Sequence, residues 1–496
     1  MGMFSDRFSL LKKASEPLYK TPKSVQETIE ILKISESGIF EVANGKYSKT
    51  YRFSDVNYAT RTEDEQESFF QRYCKCLNSF DCTFKITVNN KNKDMELLKD
   101  EVMLKYKGDS YDGMRESYNN IIEEKIMEGR QGIEQERYIT VTVDRKNFEE
   151  AKSQFATIEN SMFKSFQELG SRLTPLNGNE RLKILHDYYR LGREEEFSFD
   201  IKDGKKTGTD FRNEICNSKV IYNQDYFEDE GKVGRVLFIK KYPTYLSDRF
   251  FNELIFLPIH SITSIDVVPV PKDLTMRMLQ KKYMGIESDI IKQQRTRNRN
   301  NDFSSDISYN TRRQKEDIED IMNNVRENDE NLFFVGVTMI VMADTKEELD
   351  SICETIDSIA KGAGCAIDTC MYKQREAVNT TLPIGVRQIE TMRTMLTQSL
   401  AVLMPFNVQE LCDNGGIYYG VNQISKNIIV GNRKKLLNGN GFIFGVSGAG
   451  KSFQAKMEMG SVLLSTDDNV IAVDPMNGAK RSYLKRVGAI FIKLYA

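Results

Sequence analysis

The sequence predicts an α+β module of two ferredoxin-like halves with antiparallel sheets, followed by the start of an α/β P-loop domain. Three observations predict this. Residues 38–169 alternate short period-two apolar segments with longer amphipathic ones, in the order strand, strand, helix, strand, helix, strand, helix. A comparable order of strands and helices returns between His260 and Met371, although no sequence repeat is visible. Further on, Gly445-Val446-Ser447-Gly448-Ala449-Gly450-Lys451-Ser452 reads G-x-x-x-x-G-K-S, the phosphate-binding pattern. The implied domains are 1–200, 201–384 with a charged helical insert at 274–331, and an incomplete P-loop domain at 385–496.

Composition narrows the class. With 40% apolar and 29% charged residues, the chain is globular rather than disordered. A formal net charge of −2 gives no overall field that argues for nucleic acid. Eight cysteines are scattered along the chain with no secretory signal, which reads as reduced thiols in a cytosolic protein. Cys74 and Cys76 fall within a helical pattern, Cys82 stands alone, and His186 and His260 are the only histidines, so a zinc site lacks its ligand set. The longest apolar run, Leu332 to Ala343, is shorter than the roughly 20 residues a bilayer span takes. Membrane association is therefore expected to be peripheral or through a partner.

The first half begins after a loose arm at 1–25. Asn44-Gly45 between two alternating segments marks a hairpin, 38–43 with 46–53. Thr62 followed by Glu65 is a capping box opening a helix to Leu77. A strand over 82–88 puts Phe84, Ile86 and Val88 on one face. A helix over 111–127, a strand over 137–143 and a helix over 147–169 complete the set, and Asn177-Gly-Asn179 opens another helix to Leu191.

Residues 196–235 read as a polar connector with short strands and turns at Asp203-Gly204 and Glu230-Gly231. A strand over 260–270 leads to a solvated helical hairpin, basic at Lys292 to Arg299 and acidic at Glu316 to Asp320. A strand over 332–343, a helix from a Thr345 cap to Ala360 and a strand over 365–371 follow. Gln388 to Leu403 reads as an apolar helix, and 417–421 with 427–430 as a hairpin.

The glycine-rich segment carries the chemistry. Phe442, Ile443 and Phe444 read as a strand feeding the loop, and Phe453 to Leu464 as the helix leaving it. In that setting the glycines turn successive backbone N–H groups inward around phosphates, and the helix N-terminus adds partial positive charge. Gly445, Val446, Ser447, Gly448, Ala449, Gly450, Lys451, Ser452 and Phe453 are the candidate ATP-binding residues. Lys451 is expected to reach the β- and γ-phosphates and Ser452 to ligate Mg²⁺. Asn469 to Val473 reads as a second, parallel strand ending at Asp474, followed by Pro475 where a second acid would polarise water. Asp474 reads either as a Walker B carboxylate holding Mg²⁺ through water or, the reading favoured by Pro475, as the residue that ends the second strand near the nucleotide. With a third apolar run at 489–492 and little beyond it, the chain reads as the front part of a longer ATPase.

Three segments, Ser399-Leu-Ala-Val-Leu-Met-Pro-Phe406, Gly416-Ile-Tyr-Tyr-Gly420 with Asn422-Gln-Ile-Ser, and Asn440 through Phe453, resemble the CagE/TrbE/VirB-type ATPases of conjugative type IV secretion systems, of the kind carried by Gram-positive integrative elements. Lys456, Glu458 and Asp474-Pro475 suit that family, although Met476 to Ala479 intervenes where its members usually continue with acids and a Tyr. The resemblance covers about 385–496 and extends more weakly to Phe69 through Val88. It implies a RecA/FtsK-like motor behind a two-part α+β domain, at the cytoplasmic face of the cell membrane. It also implies a homo-oligomer that contacts channel subunits and passes DNA or protein. A non-hydrolysing scaffold of the channel and an FtsK/HerA-type DNA pump are the competing readings.

Overall fold

In the computed structural model, residues 22–92, 102–128, 133–243, 248–299, 309–411, 415–423, 427–466, 468–473 and 490–492 are described, with a few single residues between. Residues 1–21 of the expected arm at 1–25, the tip of the helical insert at 300–308, Cys412 and Asp474 to Ala479 lie outside the described residues.

Strands β1 (Ile39–Ala43) and β2 (Lys46–Phe53) form the Asn44-Gly45 hairpin. Helix α1 (Glu63–Asn78) starts at the Thr62 capping box, with Glu65 bonding back. Strand β3 (Thr83–Asn92), helix α2 (Asp112–Glu128), strand β4 (Ile133–Asp144) and helix α3 (Phe148–Leu169) follow. Asn147 caps α3 through the Glu150 amide. The short β5 (Leu173–Pro175) and helix α4 (Gly178–Tyr189), capped by Asn177 and Glu180, close the first half.

The connector holds more helix than its composition suggests. Asp203-Gly204 is not a turn but lies inside α5 (Ile201–Thr207). Asp200 caps that helix, and Gly204 sits against the Phe199 ring where a Cβ would come within 2.6 Å. Helix α6 (Phe211–Ile215), β6 (Val220–Tyr222), β7 (Phe227–Asp229), β8 (Lys232–Lys241) and α7 (Asp248–Ile255) come next. Then follow β9 (Ser261–Val270), the paired helices α8 (Lys272–Arg299) and α9 (Tyr309–Glu327), β10 (Leu332–Ala343), α10 (Lys346–Gly362), β11 (Ala366–Thr369) and α11 (Gln374–Thr381).

The expected apolar helix over 388–403 does not form. Strand β12 (Arg393–Leu396) pairs antiparallel with Leu332–Val335 of β10, and only α12 (Thr397–Ala401) is helical. The ladder wins because β10 outruns β8, whose pairing begins at Thr338, and leaves a free edge at its start. The apolar side chains of this stretch serve two faces in turn, Ile389 on one and Met395, Leu400 and Leu403 on the other.

Twelve of these strands make one sheet, ordered β1-β2-β4-β3-β9-β10-β8-β7-β6. The strand β5 is laid on β2, β11 on β8 and β12 on β10. All the pairings in this sheet are antiparallel. The two halves are mirrored about the β3–β9 seam, where Phe84 faces Val267 and Ile86 faces Ile265. Within each half, the strand after the hairpin pairs with the third long strand and with a short final one: β2 with β4 and β5, β8 with β10 and β11.

One face of the sheet is apolar. Tyr51, Phe84, Ile86, Ile139, Val141, Ile265, Val267, Phe333 and Val335 pack under α1, α3, α7, α10 and α12. The other face carries a buried polar centre: Ser48, Thr50, Lys85, Thr140, Thr142, Ser264 and Asp266. Residues 380–386 lie across it as a strap whose carbonyls accept from these side chains. Ser48 donates to Ile384 at 2.6 Å, Ser264 to Thr381 at 2.5 Å, Thr142 to Gly385 at 3.2 Å, and Lys85 to Leu382 and Val386 at 3.2 and 3.1 Å. Arg181 of α4 adds bonds to Pro383 and Ile384. A buried polar group without such partners would cost about 1–3 kcal/mol, so strap and polar face require one another. Further along, the Asp55 carboxylate, ion-paired to Arg137, accepts the amides of Asn407 and Val408.

Beyond the sheet module come a hairpin, β13 (Ile417–Val421) with β14 (Ile428–Gly431), and helix α13 (Lys451–Ser465). They are followed by β15 (Ile471–Val473), parallel to β16 (Ile490–Ile492) as a crossover sheet demands. Among the described residues no helix is long and apolar enough to cross a membrane.

Candidate functional site

The glycine-rich loop is reached through the β13–β14 hairpin. At its end the Asn432 amide donates to Asp413, and the Asn432 side chain accepts from the Lys434 amide, starting a short turn over Arg433–Lys435. Residues 438–446 then run without regular structure. The strand expected at Phe442–Phe444 is absent: Phe442 and Phe444 are 84% and 86% exposed, their rings stacked 5.8 Å apart. The physical reason is the lack of a ladder, since β15 pairs with β16 and neither takes up 442–444.

Two glycines set the shape of the loop. Gly448 and Gly450 stand at φ +83° and +86°, the left-handed region that favours residues without a Cβ. Gly445 closes the loop, where a Cβ would lie 3.3 Å from Ala449 Cβ and Lys451 Cγ. The Ala449 amide donates to the Val446 carbonyl, and the Gln454 amide to Gly450. Helix α13 begins at Lys451, with Gly450 as an N-cap that has no side chain to satisfy the first amides, and with no acid in the first turn. The amides at the start of a helix lack intrahelical acceptors and carry partial positive charge.

Lys451 folds back over the loop. Its Nζ donates to the carbonyls of Gly445 and Val446, both at 2.7 Å. Ser452 and Phe453 are exposed on the first turn. All nine sequence-predicted residues, Gly445 to Phe453, are thus brought together in one loop and one helical turn. Asp474 lies outside the described residues.

A second set of side chains fixes the helix behind the loop. Glu458 accepts from Tyr419 Oη at 2.8 Å and pairs with Arg433 at 2.7 Å, while Arg433 Nε donates to the same phenol at 3.0 Å. Burial together with the Glu458 carboxylate raises the Tyr419 phenol above its ordinary range. Lys434 and Lys435 pair with Asp468 and Asp413. The basic run 433–435 is therefore turned toward its own domain. Sequence reasoning passed over Arg433 and Tyr419, because a basic triplet after a hairpin reads as solvated surface. The only signal was Glu458 on the helix face seven residues past Lys451, two turns further along the same side.

With the site laid out, comparison with known proteins adds nothing to it: no protein-family model matches this chain, and no curated protein matches it.

Proposed function

We propose that this chain is the nucleotide-binding part of a motor ATPase, of the type that energises assembly of and transfer through a conjugative type IV secretion channel. One observation carries the nucleotide reading. A glycine loop with two left-handed glycines runs into an uncapped helix whose first residue, Lys451, holds its ammonium over the loop on two carbonyls. Such a loop offers amide donors and one cation to a single oxyanion, as phosphate recognition needs.

The chemistry follows from these residues. On binding ATP, Lys451 exchanges its bonds to Gly445 and Val446 for the β- and γ-phosphate oxygens. The amides of residues 448–453 take up the remaining phosphate charge. The Ser452 hydroxyl is the residue here that would hold Mg²⁺, which when bound neutralises charge on the phosphate oxygens. Glu458, Arg433 and Tyr419 keep the helix fixed while this happens.

The secretion assignment rests on the resemblance of residues 385–496 and on the architecture ahead of them. On this reading each half of the antiparallel sheet module is a ferredoxin-like unit with a helical excursion inserted in it, supported by the strand orders β5-β2-β4-β3 and β11-β8-β10-β9. Placement at the cytoplasmic face of the membrane, contact with channel subunits, homo-oligomer formation and handling of DNA belong to this proposal. A second reading, a non-hydrolysing interaction module, is favoured by the exposed and unpaired Phe442–Phe444.

The test is Mg-ATP binding and turnover by the chain and its Lys451→Ala variant. Loss of the ammonium is expected to weaken binding about 10- to 100-fold, the worth of one or two charge-assisted hydrogen bonds. Equal affinity in the two proteins overturns the nucleotide reading. Binding without turnover selects the scaffold reading.

A further inference from the structure

The strands β3 and β4 are adjacent and antiparallel, with Asn92 opposite Ile133 at their open end. A hairpin of two to five residues would join them. The chain instead makes a long excursion that includes α2, and α2 packs away from the sheet. Val102, Leu104, Tyr118 and Ile122 form a separate apolar cluster with Ile428 and Val430 of β14 and Leu464 of α13. This module of the first half therefore touches the far end of the helix that begins at Lys451.

The contact is polar as well as apolar. Tyr118 Oη accepts the Tyr418 amide of β13 at 3.3 Å and lies near the Ser461 side chain on α13. Arg115, 2% exposed, is held by Asp109 and Asp112 and turns Nε toward the Leu464 carbonyl at 3.4 Å, in the last turn of α13. A cation there complements the negative end of the helix. Asn119 fixes the segment before α2 by exchanging two hydrogen bonds with the Leu104 backbone, 2.8 and 3.0 Å.

We propose that Arg115 and Tyr118 are positioning residues for the phosphate loop: α2 sets where α13 sits along its axis, and so where the amides of residues 451–453 stand. The inference rests on the nucleotide reading of that loop. A rigid helix transmits a displacement at Leu464 to Lys451 over about 20 Å, at 1.5 Å per residue. By linkage, nucleotide at the loop must in turn tighten α2 against α13.

The experiment uses the full chain, the variants Tyr118→Phe, Arg115→Lys, Arg115→Ala and Lys451→Ala, and Mg-ATP as ligand. Amide hydrogen exchange is followed in α13 and α2 with and without Mg-ATP. Tyr118→Phe and Arg115→Ala are expected to speed exchange at residues 454–460 severalfold without altering the twelve-stranded sheet, and to weaken Mg-ATP about two- to tenfold, the range of one hydrogen bond. Arg115→Lys should restore part of that loss. Mg-ATP should slow exchange at residues 113–122 in the wild type, an effect that simple packing would not produce.

Unchanged exchange at 454–460 in both variants overturns the proposal whether or not nucleotide binds. So does unchanged affinity in both while Lys451→Ala abolishes binding, an outcome that leaves the nucleotide reading standing. If the wild type fails to bind Mg-ATP, that reading falls. Exchange at 454–460 then decides alone whether α2 fixes α13.

Discussion

Asp229 is the buried acid whose behaviour is easiest to test. It ends β7, is shielded from water, and accepts one hydrogen bond from Asn217 at 2.7 Å. Burial pushes its carboxyl up to about 7. In the unfolded chain it titrates near its ordinary value, so between those two points the folded state holds the extra proton. Stability is then lost as pH rises from about 4 through 7. Asp229→Asn keeps the acceptor for Asn217 and removes the charge. It should raise stability at pH 8 by about 4 kcal/mol, roughly three pH units at about 1.4 kcal/mol each, and leave it nearly unchanged at pH 4, as read from denaturant midpoints. An equal effect at both pH values would contradict the assignment. Such residues were not legible beforehand. Lys85, between Phe84 and Ile86, reads as the solvent side of a half-buried strand. It is instead 2% exposed, paired with Asp266 at 3.5 Å and bonded to the strap. Nothing in the local pattern tells a polar face in water from one covered by a segment some 300 residues away.

Among the elements, those that announce themselves by period and cap were read correctly. The Asn44-Gly45 hairpin, the Thr62 box, the Asn147 and Asn177 caps, the charged hairpin of α8 and α9 and the helix after the glycine loop all form where expected. Elements decided by neighbours were not. The strand β12 exists because the start of β10 has an open edge, and 442–444 fails as a strand because nothing pairs with it. The strap is too short to announce itself: Leu382 and Ile384 pack fully buried in the apolar layer beside it, and the rest of its order comes from carbonyls that accept bonds from distant strands. Gly385 is its most constrained point. At φ +93° a Cβ would stand 2.6 Å from Ser48 Cβ and 2.7 Å from Thr142 Oγ1. Gly385→Ala should therefore cost about 2–4 kcal/mol, seen as a lower denaturant midpoint. A change under about 0.5 kcal/mol, the scale of ordinary surface substitutions, would show that the strap is looser than drawn.

At the scale of the molecule, the order of elements in the second half was partly visible, and its union with the first was not. The strand β8 and helix α7 fell between the segments that could be read, so the repeat lacked its opening. The β3–β9 seam joins residues far apart in sequence, which no local pattern reports. Because that ladder runs from Phe84–Val267 to Asn90–Ser261 and shares one apolar face with both halves, the halves should not part when the chain is cut between them. A protease site placed at the exposed Gly208–Thr209 turn tests this. After cleavage the two fragments are expected to elute as one species in size exclusion and to unfold together. Two separate peaks would mean that the seam is not the principal junction.

The strap also has a mechanical meaning. It lies just ahead of β12 and α12, the last elements of the sheet module, and its carbonyls are gripped by donors on β2, β3, β4 and β9 together with Arg181. A pull arriving from the loop side meets three anchors in turn: the Asp55 carboxylate at Asn407 and Val408, the β12 ladder, and then the strap. At the strap the hydrogen bonds lie side by side across both halves and resist sliding together, instead of opening one after another as at a frayed end. A tension applied beyond residue 411 would thus be shared among the strands of both halves that grip the strap, instead of falling on one terminal strand.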